Sequence, residues 1–403
     1  MFRRIFIFVI GCVFLSGCSS DAQNVKNVKA KTWPEKITQS FLLMHPDSIN
    51  YPNVMKSRRW NYEQGLMLEA MYRMWQFSGD SLILHYIEKN LDYYIKDDGA
   101  ILTYIYEEFQ LDNITPGKAA LRLFQLTKNN KYKYAADTLR RQLTDQPRTK
   151  NGGFWHKNIY PFQMWLDGLY MAGPFYAYYA VTFTDTAALN DAVNQFLLIS
   201  QKCYDRQTGL YFHGWDESRQ QGWANSQTGC SPNLWGRSLG WFAMALVDVL
   251  EYIPEAHPKR AELLKILNSL AVNMLKQRDD KTKLWYQVID KPNVKGNYLE
   301  ASVSTMMAYS FAKGVNCGYL PAEFRTRAEE TWEGIIEKFV SVDKSGIVHL
   351  NQVCSVSGLG GNPYRDGSAA YYVSEPQRTD DFKGYGPFLL AAIELEKFRN
   401  SNK

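Results

Sequence analysis

Two carboxylates and two histidines in this chain sit in aromatic surroundings, a combination suited to proton-transfer chemistry. Asp167 lies in MWLDGLYMAGPF as the one acidic residue among Trp165, Leu166, Leu169, Tyr170 and Met171. A carboxylate in such company loses hydration in its charged form. Its pKa then rises, so that it can hold a proton near neutral pH, as a general acid must. The same surroundings suit a structural Asp that pairs with an Arg or caps a neighbouring loop. Asp112, in FQLDNITPG, precedes a Thr-Pro helix start. It reads as a cap or turn residue, or as a second carboxylate that tunes Asp167 or holds a substrate hydroxyl. Paired carboxylates across an aromatic cavity are the usual apparatus for chemistry on glycosides.

His156 in GGFWHKN and His213 in YFHGWDE are two of only six histidines, and each has a Trp nearby. No HxxxH or HExxH spacing supports a metal pair. They read as satisfied structural histidines or as hydrogen-bonding partners of a polar, anionic substrate. Trp235 and Arg237, in SPNLWGRSLGW, would offer an aromatic face and a guanidinium fork to a sugar ring bearing a carboxylate. Otherwise Arg237 would pair with Asp216 or Glu217. Trp60 in RRWNYEQG takes the corresponding place in the first hairpin, as a stacking platform or a structural Trp. GxGxxG, Walker and GxSxG patterns are missing, and the Gly-rich GLGGNPYRDG reads as a loop lining a mouth.

The elements that must position these residues are helical. From Arg59 onward an aromatic- and Gly-marked helix, a short polar turn and a second amphipathic helix recur, as in WNYEQGLMLEAMYRMWQFSG followed by SLILHYIEKNLDYYI. Twelve helices in six hairpins result, the sixth starting at DGSAAYYV and ending with YGPFLLAAIELEKF. Links within hairpins are short (SGD, TDT). Links between them are long and rich in Gly, Trp, His and Tyr, and they carry the candidate residues. Variable hairpin spacing with unusual chemistry confined to one set of loops favours an all-α closed double ring with one functional mouth over an open solenoid. YFHGWD and LWYQVI are expected as short strands or hairpins within those loops.

Composition narrows the function classes. The chain has 403 residues, 45% hydrophobic, 22% charged and 14% aromatic, with a net charge of +5. No basic block is interleaved with exposed aromatics, which gives a nucleic-acid partner little support. MFRR followed by IFIFVIGCVFL and LSGC reads as a signal peptide (residues 1–17) with a lipobox, so that Cys18 becomes the lipidated N-terminus. Residues 18–34 would form that terminus and a tether, and residues 35–403 one barrel domain. The expected location is exported and lipid-anchored, in the periplasm or outer membrane, with the anchor as the sole membrane contact. Cys203, Cys230, Cys317 and Cys354 are expected to be mostly buried free thiols.

Together, RRWNYEQGLMLEA, LDNITPGKA, GGFWHKNIYPFQMWLDGLYMAGPF, FHGWDES and WGRSLGW resemble glycoside hydrolase family 105, the unsaturated uronyl hydrolases, over roughly residues 35 to 400. The resemblance implies an (α/α)6 barrel and removal of a 4,5-unsaturated galacturonyl or glucuronyl residue from the non-reducing end of lyase-generated oligosaccharides, without a cofactor. It assigns Asp167 as general acid/base and Asp112 as the second carboxylate. His156, Trp165, His213, Trp235 and Arg237 fall at positions lining the uronyl pocket. The family's common GRGNGW reads GRSLGW here, so Ser238 and Leu239 bear on substrate preference more than on reaction type. Another enzyme on the same barrel and a non-catalytic glycan-binding lipoprotein are the competing readings.

Overall fold

The structure is a computed structural model that describes residues 30–51 and 58–400. The expected signal peptide and Cys18 lie outside the described residues. Helix α1 (Trp33–Met44) precedes five helical hairpins. These are α2 (Tyr62–Ser78) with α3 (Ser81–Tyr94), α4 (Gly117–Thr127) with α5 (Asn130–Asp145), and α6 (Leu166–Thr182) with α7 (Thr186–Lys202). Then come α8 (Gly236–Val249) with α9 (Arg260–Lys276) and α10 (Ala301–Asn316) with α11 (Phe324–Phe339). The short α12 (Ala369–Ser374) leads into α13 (Phe382–Asn400). The turns read as SGD and TDT end in N-caps: Asp80 accepts from Leu82 N and Asp185 from Ala188 N.

Helices α2, α4, α6, α8, α10 and α13 each pack on the next, and α13 packs back on α2, which closes an inner ring. The architecture is the (α/α)6 barrel. Its closure differs from the sequence expectation in one respect. DGSAAYYV supplies only the six-residue α12, too short to cover α13. The chain's first described helix does so instead: α1 packs on α13 and α2, and Trp33 meets Trp332 of α11 edge-on at 5.9 Å. Helix α1 starts inside the stretch expected to be tether because its Ile37 and Phe41 are needed to seal the ring, and both are fully buried.

The connections hold only short strands. β1 (Gln163–Trp165) pairs antiparallel with β2 (Gly214–Asp216), β3 (Val340–Val342) with β4 (Val348–Leu350), and β5 (Val353–Cys354) with β6 (Gln377–Arg378). YFHGWD thus contributes β2, whereas LWYQVI makes only isolated bridges, Tyr286 to Leu299 and Val288 to Trp235. Of the four cysteines expected as thiols, all are free and three are buried, but Cys317 is exposed at the end of α10. Among the described residues no helix is long and apolar enough to cross a membrane.

The barrel axis is polar. Glu69 and Arg73 on α2, Lys118 and Arg122 on α4, Asp248 on α8 with Glu251 just beyond it, and Lys313 on α10 meet there. Lys313 Nζ lies 2.6 Å from Asp248 Oδ1 and 2.7 Å from Glu251 Oε1, and Arg73 Nη2 lies 2.6 Å from Glu251 Oε2. Removing one partner from such a network leaves carboxylates charged in a dry interior. Lys313→Met is therefore expected to lower unfolding free energy by about 3–5 kcal/mol, read from the midpoint of chemical denaturation.

Candidate active site

The inner helices begin on one face, and the loops leading into them build a cavity of about 200 Å³. Its walls include Asp112, His156, Trp165, Asp167, Trp235 and Arg237, all singled out in the sequence. That volume matches a single sugar ring better than an extended chain.

Asp167 lies in the first turn of α6, where the unpaired N–H groups of the helix favour negative charge. The β1–β2 pairing brings the next loop alongside: Leu166 N donates to His213 O at 3.0 Å. This places His213 Nε2 3.1 Å from Asp167 Oδ2, within reach but off the hydrogen-bond line. Such contacts are commonly loose before substrate binds. Burial raises the pKa of Asp167, but the adjacent His213 imidazole, with His156 behind it, outweighs burial and holds the carboxyl below its usual range. The sequence expectation of a carboxyl kept protonated by apolar neighbours is corrected here. Its apolar neighbours are real, but an imidazole contributed from another loop reverses their effect.

Asp112 does not cap a helix. It sits in a 3-10 turn, Leu111–Ile114, fastened by Leu111 N donating to His156 O at 3.1 Å. Lys157 Nζ donates to its Oδ2 at 2.6 Å, and His156 Nε2 lies 3.5 Å from its Oδ1. With Lys157 neutralising it, Asp112 is not among the main groups acting on Asp167, so the expected tuning of one carboxylate by the other is also corrected. Burial pushes His156 down to about 4, against the pull of Asp112, and the ring is neutral at pH 7.

The aromatic residues divide. Trp165 stacks with His156 (4.5 Å, 18°) and Tyr160 (4.8 Å, 23°), so it serves as wall more than as an open platform. Trp235 carries the Arg237 guanidinium over its ring at 4.8 Å and stacks on Tyr372 at 5.7 Å. Arg237 pairs with neither Asp216 nor Glu217. It donates to Cys354 O, while Asp216 accepts from the Ser218, Gln220 and Gln221 backbone and Glu217 from Lys150 N. Two expected substrate contacts do not line the cavity. His213 is fully buried behind Asp167, and Trp60 is 1% exposed and donates from Nε1 to Asn113 O at 2.7 Å. Trp60 therefore anchors the turn that holds Asp112. Gly65 serves the same junction: a Cβ there would stand 2.6 Å from Pro116 N, so α2 could not approach the start of α4. Ser238 and Leu239 are buried and do not line the cavity.

Sequence reasoning missed Tyr62, Lys157, Tyr160, Met171, Trp241, Val356, Ser357 and Arg365, all of which line the cavity. Lys157 adjoins His156 in WHKN and was within reach of the sequence. Arg365 belongs to GLGGNPYRDG, the loop read as lining a mouth. Its Nη2 donates to Tyr160 OH at 2.7 Å, across 205 residues of sequence.

A closed (α/α) ring whose mouth combines two carboxylates, cations and aromatic walls defines a carbohydrate-active enzyme. Comparison with known proteins makes this specific. The family model for Glycosyl Hydrolase Family 88 matches residues 33–399. A family 105 glycoside hydrolase from C. acetobutylicum ATCC 824 superposes with a TM-score of 0.87 at 42% identity, covering 91% of this chain and 100% of that one. The chain belongs to the family 88/105 glycoside hydrolases. It is also 37% identical over 230 residues to a 24.9 kDa protein in the picA locus of Rhizobium radiobacter, covering 56% of this chain and 97% of that one. With the unsaturated rhamnogalacturonyl hydrolase YesR of Bacillus subtilis (strain 168) it shares 29% identity over 206 residues, 49% of this chain and 56% of that one.

The reassignment of Trp60 is testable. Trp60→Phe keeps a ring and removes the N–H, so stability should fall by about 1–2 kcal/mol with KM unchanged. A rise in KM without loss of stability would restore the stacking role.

Proposed function

We propose that this glycoside hydrolase removes a 4,5-unsaturated galacturonyl or glucuronyl residue from the non-reducing end of lyase-generated oligosaccharides, with rhamnogalacturonan fragments as the preferred source. The observation that carries the reading is Asp167 at the edge of a ring-sized cavity that also presents Arg237 and Arg365. Cations suit the uronate carboxylate, and a lone carboxylic acid suits protonation of a carbon. The likeness to a rhamnogalacturonyl hydrolase supports the choice of source.

In this reaction Asp167 gives its proton to C4 of the C4=C5 bond. Positive charge develops at C5 and is shared with the ring oxygen. Water adds at C5 and loses its proton to the Asp167 carboxylate, which restores the acid. The resulting hemiketal opens and frees the aglycone. Asp167 is ionised in the free protein at neutral pH, so the proton must be retained by something that arrives with the substrate. The bound uronate meets this need. It displaces water from the cavity, and the loss of hydration raises the pKa of the carboxyl.

Two outcomes follow for Asp167. The wild-type protein should bleach the far-ultraviolet absorbance of the unsaturated uronyl group, and Asp167→Asn should slow this by about 10²–10⁴-fold. The alkaline limb of kcat should lie at higher pH than that of kcat/KM, because kcat reports the complex and kcat/KM the free protein. Undiminished bleaching by Asp167→Asn, or coincident limbs, would remove Asp167 from the role of acid. Binding of these oligosaccharides without any bleaching would favour a glycan-binding protein.

Export through residues 1–17 and lipidation of Cys18 would place the enzyme in the periplasm or on the outer membrane. Metabolic labelling with radioactive palmitate should mark the full chain and fail to mark Cys18→Ser. Equal labelling of both would rule out the anchor.

A further inference from the structure

The reaction above leaves His213 and its neighbour Tyr372 without a role, although both are buried and His213 Nε2 lies 3.1 Å from the acid. Tyr372 lies on α12, the short helix that fell short of a sixth hairpin. Its hydroxyl is 2.7 Å from His213 Nδ1. Tyr372 is 0% exposed, and among the described residues its hydroxyl has no other hydrogen-bond partner. The ring is fixed by stacking on Trp235, and its backbone oxygen accepts from Gln287 Nε2 at 3.1 Å.

We propose that Tyr372 is a positioning residue whose hydroxyl donates to His213 Nδ1, holds the imidazole as its Nε2–H tautomer, and so reserves Asp167 Oδ1 for the proton that reaches substrate. The first two steps rest on geometry alone, and the last rests on the uronyl hydrolase reading. A buried phenol with one polar neighbour must donate to it or leave its O–H without an acceptor, which costs about 1–3 kcal/mol. Nδ1 therefore accepts, and in a neutral ring the single N–H falls on Nε2. A protonated His213 would direct Nδ1–H at the Tyr372 oxygen and orphan the hydroxyl. On the other side of the ring, Nε2–H faces Asp167 Oδ2, an atom closed off from solvent. A proton on Oδ2 would collide with Nε2–H, so the carboxylic acid must carry it on Oδ1. Oδ1 is absent from the buried, unpartnered atoms and belongs to a side chain that lines the cavity. After transfer, Nε2–H supports the carboxylate that accepts the water's proton. No proton leaves the Tyr372–His213 pair during the cycle.

The other titratable or charged groups near this line are His156, which is neutral, the Lys157–Asp112 pair, Tyr371 on α12, and Arg365 and Asp366 on the loop before it. None of them hydrogen-bonds the His213 ring, so the tautomer is set by Tyr372.

The test uses the full chain labelled with ¹⁵N-histidine, with the His213 resonances assigned by their loss in His213→Gln. The wild-type spectrum should show a protonated Nε2 and an unprotonated, acceptor-type Nδ1. Tyr372→Phe, which keeps the ring, should populate the other tautomer. On an unsaturated uronyl disaccharide it should lower kcat by roughly 10- to 100-fold, leave KM little changed and move the alkaline limb of kcat. A protonated Nδ1 in the wild type overturns the proposal by itself, whether or not the variant folds. So does a Tyr372→Phe protein with unchanged kcat and pH limb. The expected tautomer in a protein inert toward every unsaturated uronyl substrate would support the positioning geometry and overturn the substrate reading instead.

Discussion

The barrel is organised around charges that have no access to water. Glu69, Lys118, Arg122, Asp248 and Lys313 are each nearly or fully buried on the inner helices. Burying any one of them alone would cost several kcal/mol, and only their mutual contacts across the axis offset that cost. The contacts form when α2, α4, α8 and α10 stand at fixed heights relative to one another. A slip of one inner helix along the axis would break several ion pairs together, whereas apolar packing alone would tolerate it more easily. The lead-in loops end at the inner helices, so the axial network also helps to fix where Asp112, Asp167 and Arg237 converge.

At the mouth, short-range backbone pairing takes over from the helices. The β1–β2 ladder and the bond from Leu111 N to His156 O tie three successive connections into one wall. That wall places an imidazole against each carboxylate, His213 against Asp167 and His156 against Asp112, and adds Lys157 to the second. The two carboxylates thereby acquire different surroundings. Asp112 is held by a permanent cation, and Asp167 by an imidazole that donates from one side only. Their different electrostatic settings follow from those partners, since the side chains themselves are chemically alike.

Much of this was legible in the sequence because it is local. Helical spacing of apolar residues, the SGD and TDT turns and the Thr115-Pro116 start depend on neighbours within a few positions. The candidate residues stood out because Trp, His and Gly cluster in links that a simple bundle would leave polar. What local patterns could not supply were contacts made by chain ends and distant loops. Helix α1 replaced the segment expected as half of the sixth hairpin, because the exposed flank of α13 had to be covered by whatever chain lay nearest in space. Trp60 and Trp235 look alike in sequence, each near the start of an inner helix. Yet Trp60 turns its N–H inward to Asn113, and Trp235 faces the cavity.

The sequence by itself determined the class of fold and the set of loops that gathers the aromatic, cationic and acidic residues, since periodicity and residue type are properties of the chain alone. The tertiary structure decided the charge state of Asp167, the neutralisation of Asp112 and the orientation of His213. Each of those depends on a partner brought from elsewhere in the chain: His213 lies 46 positions from Asp167, and Tyr372 a further 159 positions beyond His213. Hydration loss acts on Asp167 wherever apolar neighbours are found, but the sign of its pKa shift is set by an imidazole whose distance no linear pattern encodes.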